Sequence, residues 1–199
     1  MLSEMDWTHV LVLVSLGISV VGASVYVRDM FKGTTKPNKV SYLLWALAPL
    51  IGTGAALSAG ADVWATARIF MSGFVPLVIV IVSFFLTQSY WKLTRFDLLC
   101  GVFSVIALIV WVLADAPRMA ILFAALADGF ALIPTLRKAW RNPETETGIT
   151  YVLGFIAAII VIPSIPVWNI ENSAFQIYLM TANTLLVLFV YRKRLGLGK

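Results

Sequence analysis

Apolar residues in this chain fall in long unbroken runs rather than in a stripe recurring every third or fourth position. Seven stretches can be read off directly: Val10 to Val27, Val40 to Ala61, Ile69 to Trp91, Leu98 to Ala114, Met119 to Leu136, Thr147 to Ile170, and Asn172 to Tyr191. Their lengths match the roughly 17 to 25 residues that a helix rising 1.5 Å per residue needs to cross the hydrocarbon of a bilayer. A membrane barrel would alternate in short segments between turns, and these runs do not alternate. The expected fold is therefore an all-α membrane protein with seven transmembrane helices. Only the fifth run contains a charge, Asp128.

Composition supports lipid as the solvent. The 199 residues are 60% hydrophobic and 13% charged, more apolar surface than one soluble core can hide. The first run is preceded by Glu4 and Asp6 and is followed by no clear small-residue cleavage site, so it reads as a retained span and not a signal peptide. A formal charge of +5 could suggest nucleic acid as a partner, but the positions of the basic residues speak for topology instead. Arg28, Lys32, Lys36 and Lys39 border the first connection, Lys92 and Arg95 the third, Arg137, Lys138 and Arg141 the fifth, and Arg192, Lys193, Arg194 and Lys199 form the tail. That side is the cytoplasm by the positive-inside rule, which leaves Arg68 and Arg118 outside with the amino terminus. The expected location is a cell membrane or bacterial inner membrane, with the carboxyl terminus in the cytoplasm.

Catalytic signals are missing from the sequence. Cys100 and His9 are each the single residue of their type, which gives neither a disulfide nor a set of metal ligands. There is no glycine-rich phosphate loop and no nucleophile–base set, so no enzyme, metal or cofactor is expected. Trp7, Trp64, Trp91, Trp140 and Trp168 stand near the ends of the runs, as an aromatic belt would.

The chain also repeats itself. An offset of 109 residues, without a gap, brings Arg28 onto Arg137, Phe31 onto Trp140, Lys32 onto Arg141, Ser41 onto Thr150 and Tyr42 onto Tyr151. The polar block around the first and fifth connections carries this match. The unit is three helices long, so residues 1–92 form the first unit, 93–115 a connector helix and 116–199 the second unit. An odd connector returns the chain to its starting side, and the two units become parallel repeats.

With the stretch Pro134-Thr135-Leu136-Arg137-Lys138-Ala139-Trp140-Arg141-Asn142-Pro143 and the following Gly148-Ile149-Thr150-Tyr151, the sequence resembles the PQ-loop and SWEET superfamily of seven-helix membrane transporters. Thr135 stands where that family usually has glutamine. Asn183 resembles the asparagine that the sugar carriers place in the third helix of a unit. The resemblance implies a 3+1+3 arrangement of helices and transport of a small solute.

The expected function is a small-solute carrier in which two three-helix bundles rock about a central site, with protons as a candidate coupling ion. Asp128 and Asn183 each lie nine residues before a boundary arginine, Arg137 and Arg192, and so at similar depth near the midplane. Asp128 and Asn183, with Ser19 and Thr135, are the expected substrate-binding residues. Asp128, Leu132 and Thr135 share one helical face. Pro134 and Pro49 are the candidate hinges, because proline cannot donate to the helical ladder. Pro76, Pro163 and Pro166 are expected to kink other spans, and Gly52, Gly54, Ala55, Ala56 and Gly60 to let helices approach closely. The expected partners are a small-molecule substrate and membrane lipid, and both a monomer and a homo-oligomer fit. The alternative is a receptor or sorting scaffold on the same fold, working through the basic cytoplasmic face.

Overall fold

A computed structural model describes residues 6–58, 63–86, 92–113, 117–165, 167–168 and 170–197. Gly60, Ala61, Trp91, Ala114, Pro166 and Lys199, with the boundary at 115/116, lie outside the described residues, as do the side chains of Ala55, Ala56, Arg118 and Asn172. The described residues form seven α-helices: α1 (Trp7–Phe31), α2 (Lys39–Ser58), α3 (Val63–Phe85), α4 (Arg95–Leu113), α5 (Pro117–Arg141), α6 (Gly148–Val161) and α7 (Ile170–Tyr191). Among the described residues three stretches are long and apolar enough to cross a membrane, Trp7–Phe31, Ala67–Phe85 and Ser173–Tyr191, and Gly148–Ser164 is a shorter apolar helix.

Local chemistry sets several of these boundaries. Asn38 caps α2, its Oδ1 accepting from the backbone N–H groups of Val40 at 3.1 Å and Ser41 at 3.3 Å, the bonds that free helix-end donors require. Thr94 and Asp97 open α4 as a reciprocal capping box: the Thr94 N–H reaches Asp97 Oδ2 at 2.7 Å and the Asp97 N–H reaches Thr94 Oγ1 at 3.3 Å. Gly33, at φ 72°, takes the chain out of α1 in a conformation that costs other residues energy.

Two expected spans need correction. The sixth does not run to Ile170; α6 stops at Val161 and passes into a 3-10 turn, Ile162–Ser164, where Pro163 ends the ladder instead of kinking it. The third begins at Val63, not Ile69, so Arg68 lies inside a helix and Asp128 is not the one charge within a helical run. An apolar run stops at an arginine, whereas arginine is a good helix former.

The helices pack as two groups of three. In one, α3 lies against both α1 and α2; in the other, α7 lies against both α5 and α6. The groups meet where α1 packs on α6 and α2 on α5, closing a ring, while α4 sits outside against α5 and α2. Hydroxyls tie the first seam, Ser15 donating to the Ala157 carbonyl and Thr150 to that of Gly22, both at 3.0 Å. At the second seam the Trp45 indole N–H donates to the backbone carbonyl of Asp128 at 3.3 Å. Within the first group Gly73 sets the approach of α3 to α2, since a Cβ there would lie 2.9 Å from Leu50 Cγ and 3.0 Å from the Ala46 carbonyl oxygen. Gly73→Ala should therefore destabilise the protein by about 1–3 kcal/mol, as overpacking does. Thermal unfolding of the purified variant measures this, and an unchanged midpoint would contradict the tight contact.

Candidate functional site

At the centre of the ring is a cavity of about 160 Å³, more than tenfold the roughly 10–15 Å³ that a single water requires. Every helix except α4 contributes to its wall. Ser19 comes from α1, Trp45 and Pro49 from α2, Arg68 from α3, Asp128 and Leu132 from α5, Gly154 from α6, and Tyr178 and Asn183 from α7.

Of the sequence-derived candidates, Asp128, Asn183 and Ser19 come together in this wall. Asp128 is buried and faces the Tyr178 hydroxyl, which makes no hydrogen bond of normal geometry. Ser19 does not reach the acid, because its hydroxyl donates to the Ser15 carbonyl at 2.9 Å within its own helix. Asn183 Nδ2 likewise donates to the Leu179 carbonyl at 2.8 Å. Opposite it, Gly154 supplies the space: a Cβ there would lie 2.5 Å from Asn183 Oδ1.

Thr135 does not line the cavity. It is fully buried, and its hydroxyl has no partner. Seven residues after Asp128 it does return to the same helical face, but about 10 Å further along the axis, beyond the point where the helices close together. Pro49 lies in the cavity wall and Pro134 is packed just past it, and both α2 and α5 continue through their prolines.

The cavity is sealed at the end where the α1–α2 and α5–α6 connections meet. The two connections touch directly through the Lys36 N–H and the Thr145 carbonyl at 3.0 Å. Above them, Lys138 Nζ pairs with Glu146 Oε1 at 2.6 Å, both side chains almost wholly enclosed, and it also donates to the Lys36 and Thr145 carbonyls. The other carboxylate oxygen of Glu146 accepts from Tyr151 at 2.6 Å and from Tyr26 at 3.1 Å. Tyr42 and Tyr151, the pair related by the 109-residue offset, meet hydroxyl to hydroxyl at 3.3 Å. Thr35 and Thr147 do the same at 2.6 Å, with Thr147 donating onward to Asp29 at 3.1 Å.

Lys138 is therefore no surface cation, contrary to its place in the expected basic face, and Arg192 is buried too. Arg192 donates to the Ala139 and Phe189 carbonyls at 3.3 and 3.1 Å, a favourable position for a cation at a helix carboxyl end. Sequence reasoning assigned no site role to Arg68, Tyr178 or Glu146, and gave Lys138 only the exposed place on the basic face that its burial rules out. Arg68 did leave a trace as one of two basic residues on the wrong side of the charge asymmetry.

Compared with protein-family models, curated proteins and solved structures, the chain matches none.

Proposed function

We propose that this protein is a small-solute carrier whose seven helices cross the membrane as two parallel three-helix units joined by α4, as the resemblance to the PQ-loop and SWEET superfamily implies. The observation that carries this reading is one central cavity, walled by six helices from both units and sealed at one end by residues from both. A carrier needs a site that two bundles can expose alternately, and a cavity at their seam meets that need. Apolar residues such as Val20, Val21, Leu47, Phe70, Ile106 and Leu188 stand exposed on the outside of the ring, an amount of apolar surface that favours lipid contact. In the positive-inside orientation the sealed end is cytoplasmic and the cavity faces outward.

Uptake into proteoliposomes across sugars, amino acids and other small solutes tests this reading. Saturable uptake of at least one class is expected, and silence across the panel with folded protein would count against it. Asp128 is held near the middle of α5, where a carboxyl group costs at least roughly 2.5–3.5 kcal/mol to insert; this fits a group that gains and loses a proton during the cycle. Asp128→Asn should abolish the pH dependence of uptake while leaving the folded fraction unchanged. The assignment fails if Asp128→Asn and Asn183→Ala both transport like the parent at every pH. The receptor alternative draws on a basic face from which Lys138 and Arg192 are withdrawn, and the exposed Lys193 and Arg194 of the tail are what it has left there beside Arg137 and Arg141.

A further inference from the structure

We infer that the solute is a small organic acid whose carboxylate is held by Arg68; this rests on the carrier site proposed above. Arg68 lines the cavity, and its Nε is closed off from solvent without a hydrogen-bond partner. Neither ion pair found among the described residues involves it. A half-buried guanidinium whose Nε is shut off from water and unpaired is costly, and an anion entering the cavity would relieve that cost.

Asp128 is not that anion. At 1.5 Å per residue Arg68 lies about 7 Å from the amino end of α3 and Asp128 about 16 Å from that of α5, so in parallel helices the two sit at different depths. The planar guanidinium fork matches a carboxylate bidentately. A phosphate dianion would call for a second cation, and Arg68 is the single basic residue in the described wall. Beside it the wall is apolar apart from Ser72, whose hydroxyl donates to the Ile69 carbonyl: Met71 and Val75 follow on the same face of α3, with Phe175 and Leu179 on α7. That surface suits a short hydrocarbon body. Deeper in the cavity, Asp128, Tyr178 and Asn183 can receive a hydroxyl or amino substituent where the solute has one.

Binding of valerate, its uncharged analogue valeramide and the zwitterion norvaline to the full chain in lipid nanodiscs tests the inference. Valerate or norvaline should bind saturably and valeramide should not; which of the two acids binds more tightly reports whether a positive group is wanted near Asp128. Arg68→Gln should weaken carboxylate binding about 10- to 100-fold, the worth of a charge-assisted hydrogen bond, and Arg68→Lys should retain part of it. Valeramide competing as well as valerate, neither acid binding, or a folded Arg68→Gln protein binding both acids like the parent would overturn it. If Arg68→Gln does not fold, the preference of the parent and Arg68→Lys for acid over amide decides the matter. Carboxylate binding without uptake would sink the carrier reading and leave this inference standing, whereas Arg68-independent uptake of a neutral solute would do the reverse.

Discussion

Glu146→Ala should destabilise the protein by about 3–5 kcal/mol, the cost of leaving one partner of a buried ion pair behind. Glu146 collects the Lys138 ammonium on one oxygen and the hydroxyls of Tyr26 and Tyr151 on the other. Its removal strips three donors of their acceptor at once. Lys138 would keep the Lys36 and Thr145 carbonyls, which satisfy donors but supply no countercharge. Scaling from soluble domains of similar length, the unfolding midpoint should fall by about 10 °C. The combined change Lys138→Met with Glu146→Gln should recover most of that loss, because it removes both charges and leaves a side-chain carbonyl for the tyrosines. Thermal unfolding of the parent, Glu146→Ala, the single changes Lys138→Met and Glu146→Gln, and the combined protein measures the coupling. Additive losses, or a single variant as stable as the parent, would show that the pair is not the compensated buried charge described above.

The apolar runs located every helix, since charge-free length is what both a lipid-facing and an inward-facing helix wall display. They misjudged ends where a charge lies in the first turns of the true element or a proline just past its end: Arg68 in the second turn of α3, Asp97 in the capping box of α4, and Pro163 in the turn that closes α6. The 109-residue offset aligned Tyr42 with Tyr151, but alignment alone says nothing about distance, and their contact depends on how α2 and α6 are brought together across the ring. The same offset aligns Ser19 with Asp128, and both line the cavity. Thr135 shows the limit of helical periodicity, which gives the face but not the depth at which that face stops being open. Lys138 shows the limit of counting basic residues. Charge asymmetry sorts residues by side of the membrane, whereas the burial of Lys138 depends on a carboxylate eight residues later, turned back by the tight Pro143–Thr145 turn.

Locking the sealed end should stop transport altogether, the second large effect expected. Thr35 and Thr147 belong to the two connections that meet there, and their hydroxyls touch at 2.6 Å, so cysteines at both positions would carry their sulfurs within reach of a disulfide. The one native cysteine, Cys100, is buried in α4 away from the cavity, and a Cys100→Ala background removes it from the chemistry. Under alternating access the Thr35 and Thr147 contact has to part each time the solute is released to the cytoplasm. Oxidising the double-cysteine protein in proteoliposomes should therefore reduce uptake to the background of empty vesicles, and a reductant should restore it. Solute binding from the outer side should survive oxidation, because the cavity is already formed with this end closed. That separation of binding from uptake distinguishes a blocked gate from a damaged site. Full uptake by the oxidised protein, with the disulfide verified by its mobility on a non-reducing gel, would mean that this end never opens and that the two units do not rock about the cavity.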